Sequence, residues 1–208
     1  MNNACVVIPV EVAGVIGVTA TGNTRQTDSN GNPIGGYLKS FYSNVGVGVT
    51  QVTAPGGDSI FGRTAEAPNG RVLSTWPPNM PCTRSVQEPV SDPNEPTAVY
   101  CYLQGTSMAS PHAAGVAALI VSMFGNANSP QNGKMRPDQV KAYMTQTADP
   151  QPCPTFFPVG FGGSVYTTIG SGTESGTFAQ CQGGPGYNSW YGDGQVDAFN
   201  AVTHTAGH

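Results

Sequence analysis

Apolar positions along this chain gather into a few short runs, separated by long stretches rich in Gly, Pro and polar residues. Cys5-Val6-Val7-Ile8-Pro9 and Gly14 to Ala20 are β-branched and read as buried strand material, the second strand starting at Val15. Thr21 to Gly36 is full of Asn, Gly, Ser and Asp, which predicts a loop or hairpin. Val49 to Gly56 predicts a short buried strand ended by Pro55-Gly56, and Val72 to Trp76 another strand. Pro77 to Ala98 carries Pro77, Pro78, Pro81, Pro89, Pro93 and Pro96 and predicts a loop, long enough to need a constraint. An apolar run, Val99 to Leu103, then leads to the turn at Gly105. From Ala113 to Met123 the residues are small or apolar nearly all round, the pattern of a helix buried on every side, running to about Phe124. Pro111 is expected near its start, where a missing N–H costs little. Arg136 to Ala148 predicts a second helix, with Val140, Tyr143, Met144 and Thr147 on one face. Gln151 to Gly186 predicts another loop, and Tyr191 to Val202 a Gly turn and a short closing helix. No internal repeat is visible.

Composition narrows the picture. A chain of 208 residues defaults to one domain with a sizeable core. Only 10% of residues are charged and the net charge is -4, so a clustered basic surface for nucleic acid is not expected. No run of 18 apolar residues exists, and no membrane span is expected. The start, Met1-Asn2-Asn3-Ala4-Cys5, has no basic segment and no signal-peptide shape. Five cysteines match no zinc or Cys-x-x-Cys pattern. Cys82 with Cys101, and Cys153 with Cys181, each flank one Gly/Pro/Ser-rich excursion, and the expected disulfides pair them so. Cys5 is then left over, either a buried free thiol or a residue whose partner lies elsewhere.

The candidate chemistry lies at Gly105-Thr106-Ser107-Met108-Ala109-Ser110-Pro111-His112-Ala113-Ala114-Gly115. A serine at a helix N-terminus sits beside unpaired N–H groups and the positive end of the macrodipole, donors able to stabilise an oxyanion. Standing alone, such a serine would be read as an N-cap. The whole string instead closely resembles the nucleophile motif of the subtilisin-like serine peptidases. Two further stretches agree in order. Tyr42-Ser43-Asn44-Val45-Gly46 followed by Ala54-Pro55-Gly56 resembles the family's Phe-Ser-Asn-x-Gly and Ala-Pro-Gly pair. Gly192-Asp193-Gly194-Gln195-Val196-Asp197-Ala198 resembles its closing Gly-x-Gly-x-Val-Asp-Ala. The resemblance runs from Val15 to Val202.

The resemblance implies an α/β fold: a subtilisin-like three-layer domain with a mostly parallel sheet, here truncated at its N-terminal side. Residues 1–208 would be the C-terminal part of the catalytic domain. It implies a serine endopeptidase with Ser107 as nucleophile, the Ser107 N–H as half of the oxyanion site, and His112 as a structural part of the motif. Peptide or protein is the implied substrate, and the extracellular space the implied location, in keeping with the cysteines. No cofactor is needed for the chemistry, and structural calcium is compatible with the family without any ligand being named.

The activating partners are missing. In the family Asp and His precede Ser, in Asp-Thr/Ser-Gly and His-Gly-Thr-His-Val-Ala-Gly motifs; neither occurs here. Gly22-Asn23 follows the early strand, whereas the family's oxyanion Asn should precede it. His112 lies five residues past Ser107, roughly 140° round and roughly 7.5 Å along a helix, so it cannot serve as the base. His204 and His208 read as solvated residues of a polar tail. The expectation is a piece of a longer subtilase, inactive alone, whose partner is the missing part of the domain and whose sheet has an uncovered edge. Two other readings compete. One is a non-catalytic remnant that binds peptides or a partner by β-addition. The other is an α/β-hydrolase using Ser107, Asp193 or Asp197, and His204, although position 109 is Ala and no His-Gly-Gly-Gly segment lies upstream.

Overall fold

The computed structural model describes residues 8–65, 67–82, 90–126, 128, 135–163, 166 and 180–207. The first strand, β1 (Val18–Thr27), turns back as a hairpin into β2 (Pro33–Lys39). Asp28 makes the turn: its Oδ1 accepts the N–H groups of Asn30 at 2.8 Å and Asn32 at 2.9 Å. On its other side the first half of β1 pairs in parallel with β3 (Val52–Pro55), Val18 facing Val52 and Ala20 facing Ala54. The strand expected from Val15 thus starts at Val18 and continues into the polar stretch. The run Cys5–Pro9 lies mostly outside the described residues, and Cys5 entirely so.

A second sheet is antiparallel and runs β4 (Val72–Trp76), β6 (Glu95–Leu103), β5 (Val90–Asp92). The expected Val72 strand lies here and not beside β1 and β3: Val72 pairs with Leu103 and Trp76 with Val99. The supposed loop from Pro77 to Ala98 contains β5 and the start of β6. The expected bridge is formed: Cys82 and Cys101 are disulfide-bonded, their Cα atoms 6.1 Å apart. Cys153 and Cys181 are bonded likewise, at 5.6 Å. A two-residue ladder, β7 (Gly183–Gly184) with β8 (Tyr187–Asn188), follows the second bridge. Among the described residues the parallel pairings are β1 with β3 and the single bridge Thr53–Gln195.

Three α-helices and a short 3-10 turn at Phe161–Gly163 complete the described fold. α1 (Thr106–Phe124) lays Ala109, Ala113, Val116 and Ile120 on Ala20, Val52 and Ala54 of the first sheet. α2 (Pro137–Thr147) buries Val140, Met144 and Thr147, the predicted face, and Met144 joins the same core. The Gln139 side chain accepts the Arg136 N–H at 3.2 Å and so closes the start of α2. α3 (Ala198–Thr203) is capped by Asp197, whose Oδ1 accepts the Asn200 N–H at 2.6 Å. A second core gathers Leu38, Val45, Phe61, Tyr166, Trp190 and Tyr191.

α1 is not buried on every side as expected. Ala114, Gly115, Ala118, Ser122 and Met123 are exposed, Met123 by 63%. With a mean hydropathy of 1.4 it is long and apolar enough, by composition alone, to cross a bilayer. Its packing on β1, β3, α2 and α3 makes it a core helix with one bare side.

Candidate active site

The Ser107 turn is built by the residues on either side of it. β6 ends at Leu103, and Gly105 then adopts φ 156° and ψ 161°, a conformation that only glycine takes readily. The chain enters α1 at once. Gly105 O accepts the N–H groups of Met108 at 2.9 Å and Ala109 at 3.3 Å. Thr106 and Ser107 stand before the first possible intrahelical bond, so their N–H groups point out of the helix, with no acceptor among the described residues. Ser107 is exposed, and no described residue bonds its hydroxyl. The cap reading therefore fails: the N-cap is Gly105, and no side chain makes a capping bond. Pro111 falls at the sixth helical residue rather than in the first turn. Its missing N–H leaves the Ser107 carbonyl without its i+4 partner.

The turn is fastened to the loop after β3. Gly105 N–H donates to Gly56 O at 2.9 Å. A β-carbon on Gly56 would stand 2.8 Å from Gly105 O and 3.0 Å from Tyr42 Oη, so this close approach requires glycine. The Tyr42 hydroxyl lies 2.8 Å from Gly56 O and 2.7 Å from Gly57 O, and burial pushes its phenol up to about 12. It therefore remains a donor at any ordinary pH. Ser59 N–H donates to Gln104 Oε1 at 2.7 Å.

Beneath lie two buried ionisable residues that single-sequence reasoning did not find. Lys39 and Asp58 are each 1% exposed. Lys39 Nζ donates to Ser40 O at 2.9 Å and Ser43 O at 3.1 Å, with the Trp190 and Tyr166 rings 5.2 and 5.6 Å away. Burial lowers its pKa to about 7, opposed by the charge of Asp58. Burial raises the Asp58 carboxyl, opposed by N–H groups of Phe61, Ile60 and Phe41 and by Lys39. Neither residue stands in a motif, so no signal marked them in advance.

The histidines are elsewhere. His112 is exposed and its Nδ1 bonds the Met108 carbonyl at 2.8 Å. His204 caps the end of α3 with φ 52°, stacks on Tyr143 at 4.0 Å, and reaches Gln146 Oε1 at 3.3 Å. It sits beside Phe124, at the far end of α1, roughly 25 Å of helix from Ser107. Asp197 is committed to its capping bond. Burial raises the Asp193 carboxyl, and the charge opposing that is Lys141, not a histidine. This corrects the α/β-hydrolase reading: the structure does not bring Ser107, Asp193 or Asp197, and His204 together. His208 lies outside the described residues. Among the described residues no group of three His, Cys, Asp or Glu is placed to hold a metal ion.

The arrangement offers what acyl transfer requires of a nucleophile: an exposed hydroxyl with no partner among the described residues, two outward N–H groups and a glycine directly before them. The family model for the subtilases, the S8 peptidases, matches residues 1–194. The chain belongs to the subtilase family of serine peptidases.

Proposed function

We propose that this chain carries the nucleophile and the backbone half of the oxyanion site of a secreted subtilisin-like endopeptidase. Ser107 attacks the scissile carbonyl, and its own N–H receives the developing oxyanion. The acid and the base come from residues outside these 208. They belong to the earlier part of a three-layer catalytic domain of which this chain is the later part, and that part packs on the bare side of α1. The observation carrying this reading is the Ser107 hydroxyl, exposed in the first turn of α1 beside two outward N–H groups, none of the three with a partner among the described residues. The disulfides support an extracellular location. Structural calcium is compatible with the family reading, which assigns it no ligands.

The chain alone is expected not to cleave casein, because losing triad members leaves only the residual catalysis of binding and the oxyanion site. The test is to read the DNA upstream of the Met1 codon and express the longer frame. That frame should encode Asp-Thr-Gly, His-Gly-Thr-His and Gly-Asn motifs. Its product should cleave casein and react with a serine-directed phosphonate at Ser107, and Ser107→Ala should abolish both. Casein cleavage by the 208 residues alone, lost in Ser107→Ala, would overturn the need for an outside base. A longer product silent in both assays would leave only a peptide-binding remnant.

A further inference from the structure

We propose that Asp58 and Gln104 are positioning residues that hold the Ser107 turn against the end of β3. The proposal rests on Ser107 being the nucleophile. Directly after β3 come Gly56 and Gly57, the latter with φ 79°, and the chain then dives to Asp58. The Asp58 carboxylate spreads over three backbone donors: Oδ1 accepts Ile60 N–H at 2.8 Å and Phe61 N–H at 2.7 Å, and Oδ2 accepts Phe41 N–H at 3.0 Å. Its backbone is fixed as well, donating to Gly70 O at 2.6 Å and accepting from Gly62 N–H at 3.0 Å. Five bonds on one buried residue leave the 58–62 loop little freedom.

That loop presents the Ser59 N–H to the turn, and Gln104 Oε1 takes it at 2.7 Å. Gln104 immediately precedes Gly105, whose N–H bonds Gly56 O at 2.9 Å. Two successive residues of the turn are thus tied to one loop, one through a side chain and one through the backbone. The next two residues, Thr106 and Ser107, are those whose N–H groups have no acceptor among the described residues. A rotation of the Gln104–Gly105 peptide would re-aim both N–H groups and the Ser107 hydroxyl, and oxyanion donors work only within a few tenths of an ångström of their target. Asp58 fixes the loop, the loop fixes Gln104, and Gln104 with Gly105 fixes the direction of Ser107.

The aim of these N–H groups can be read without any base. A thiol at a helix N-terminus has a depressed pKa, and its alkylation at neutral pH reports that field. The experiment uses the full 208-residue chain with Ser107→Cys and Cys5→Ser, iodoacetamide as probe, and rates measured from pH 5 to 10. The folded chain should alkylate at pH 7 at least about fivefold faster than the same chain in urea. Adding Gln104→Ala, or Asp58→Asn, should slow the folded rate about threefold or more and move the thiol titration upward. Met144→Ala, which opens the α1–α2 packing away from the turn, is the control for general loosening. It should lower the melting temperature and leave the rate unchanged. An unaltered rate in Gln104→Ala with the fold retained, or an equal loss in Met144→Ala, overturns the proposal. If Asp58→Asn does not fold, Gln104→Ala decides. The phosphonate and casein assays on the longer product test the peptidase reading independently.

Discussion

Lys39 is the residue whose burial has the most measurable consequence. Its pKa is lowered to about 7 in the folded chain, from 10.5. Between these values the unfolded chain holds a proton that the folded chain has released. Stability therefore rises with pH across that window, and below pH 7 this cost of burial is fully present. Urea unfolding should show a gain of about 1–3 kcal/mol from pH 7 to 9.5, abolished in Lys39→Met. The tyrosines do not interfere in that range. Tyr42, Tyr166 and Tyr191 are all raised by burial, so their opposite contribution begins only above about pH 10. A slope that survives Lys39→Met would mean another group titrates there. Neither Lys39 nor Asp58 could be singled out in the sequence, because a lone lysine is ordinarily a surface residue and only the assembled fold buries it. The turn that carries Ser107 into α1 was legible for the opposite reason. The glycine before it, the small residues after it and the apolar run beyond all constrain one another within a dozen positions.

Among the elements, α1 gives the sharpest contrast between inner and outer positions. Ile120 is fully buried, while Met123, three residues on, is 63% exposed. Ile120→Ala should cost about 2–5 kcal/mol. Met123→Glu should change the stability of this chain by less than about 0.5 kcal/mol. Equal losses in the two denaturation curves would show that the outer side is covered after all. The apolar composition of α1 predicted burial all round, since it records what a helix can bury and not what is present to cover it. β5 and the first part of β6 failed to appear in the sequence for a different reason. Prolines at 89, 93 and 96 mark a loop by local preference, yet Tyr100 and Val99 find β5 and β4 across the sheet, a pairing that only tertiary context supplies. The disulfides were legible because each closes one loop-rich excursion. Replacing Cys153 and Cys181 together by Ala should lower stability by about 3 kcal/mol on the chain-entropy model, measured as a lowered urea midpoint.

At the scale of the molecule, one short segment joins parts that lie far apart in sequence. Thr53 N–H donates to Gly194 O at 2.9 Å and Thr53 O accepts the Val196 N–H at 2.9 Å, extending the first sheet beyond β3. Gln195 exchanges both of its backbone bonds with Asp149, each at 2.8 Å, and so ties in the end of α2. Substituting Gly194, which holds φ 145° directly against the Asp149 backbone, should loosen both ties. Hydrogen exchange at Thr53 and Asp149 should then accelerate together, whereas β4 and β6 stay protected. The same seam sets a schedule for synthesis. Everything between Thr53 and Gln195 must leave the ribosome before β3 acquires its outer neighbour, a wait of about 10–30 s at ordinary elongation rates. During that interval the nascent chain shows a bare strand edge and is a client for holding chaperones. Synonymous codons that slow translation just before Gly194 would lengthen that exposure without altering a single residue.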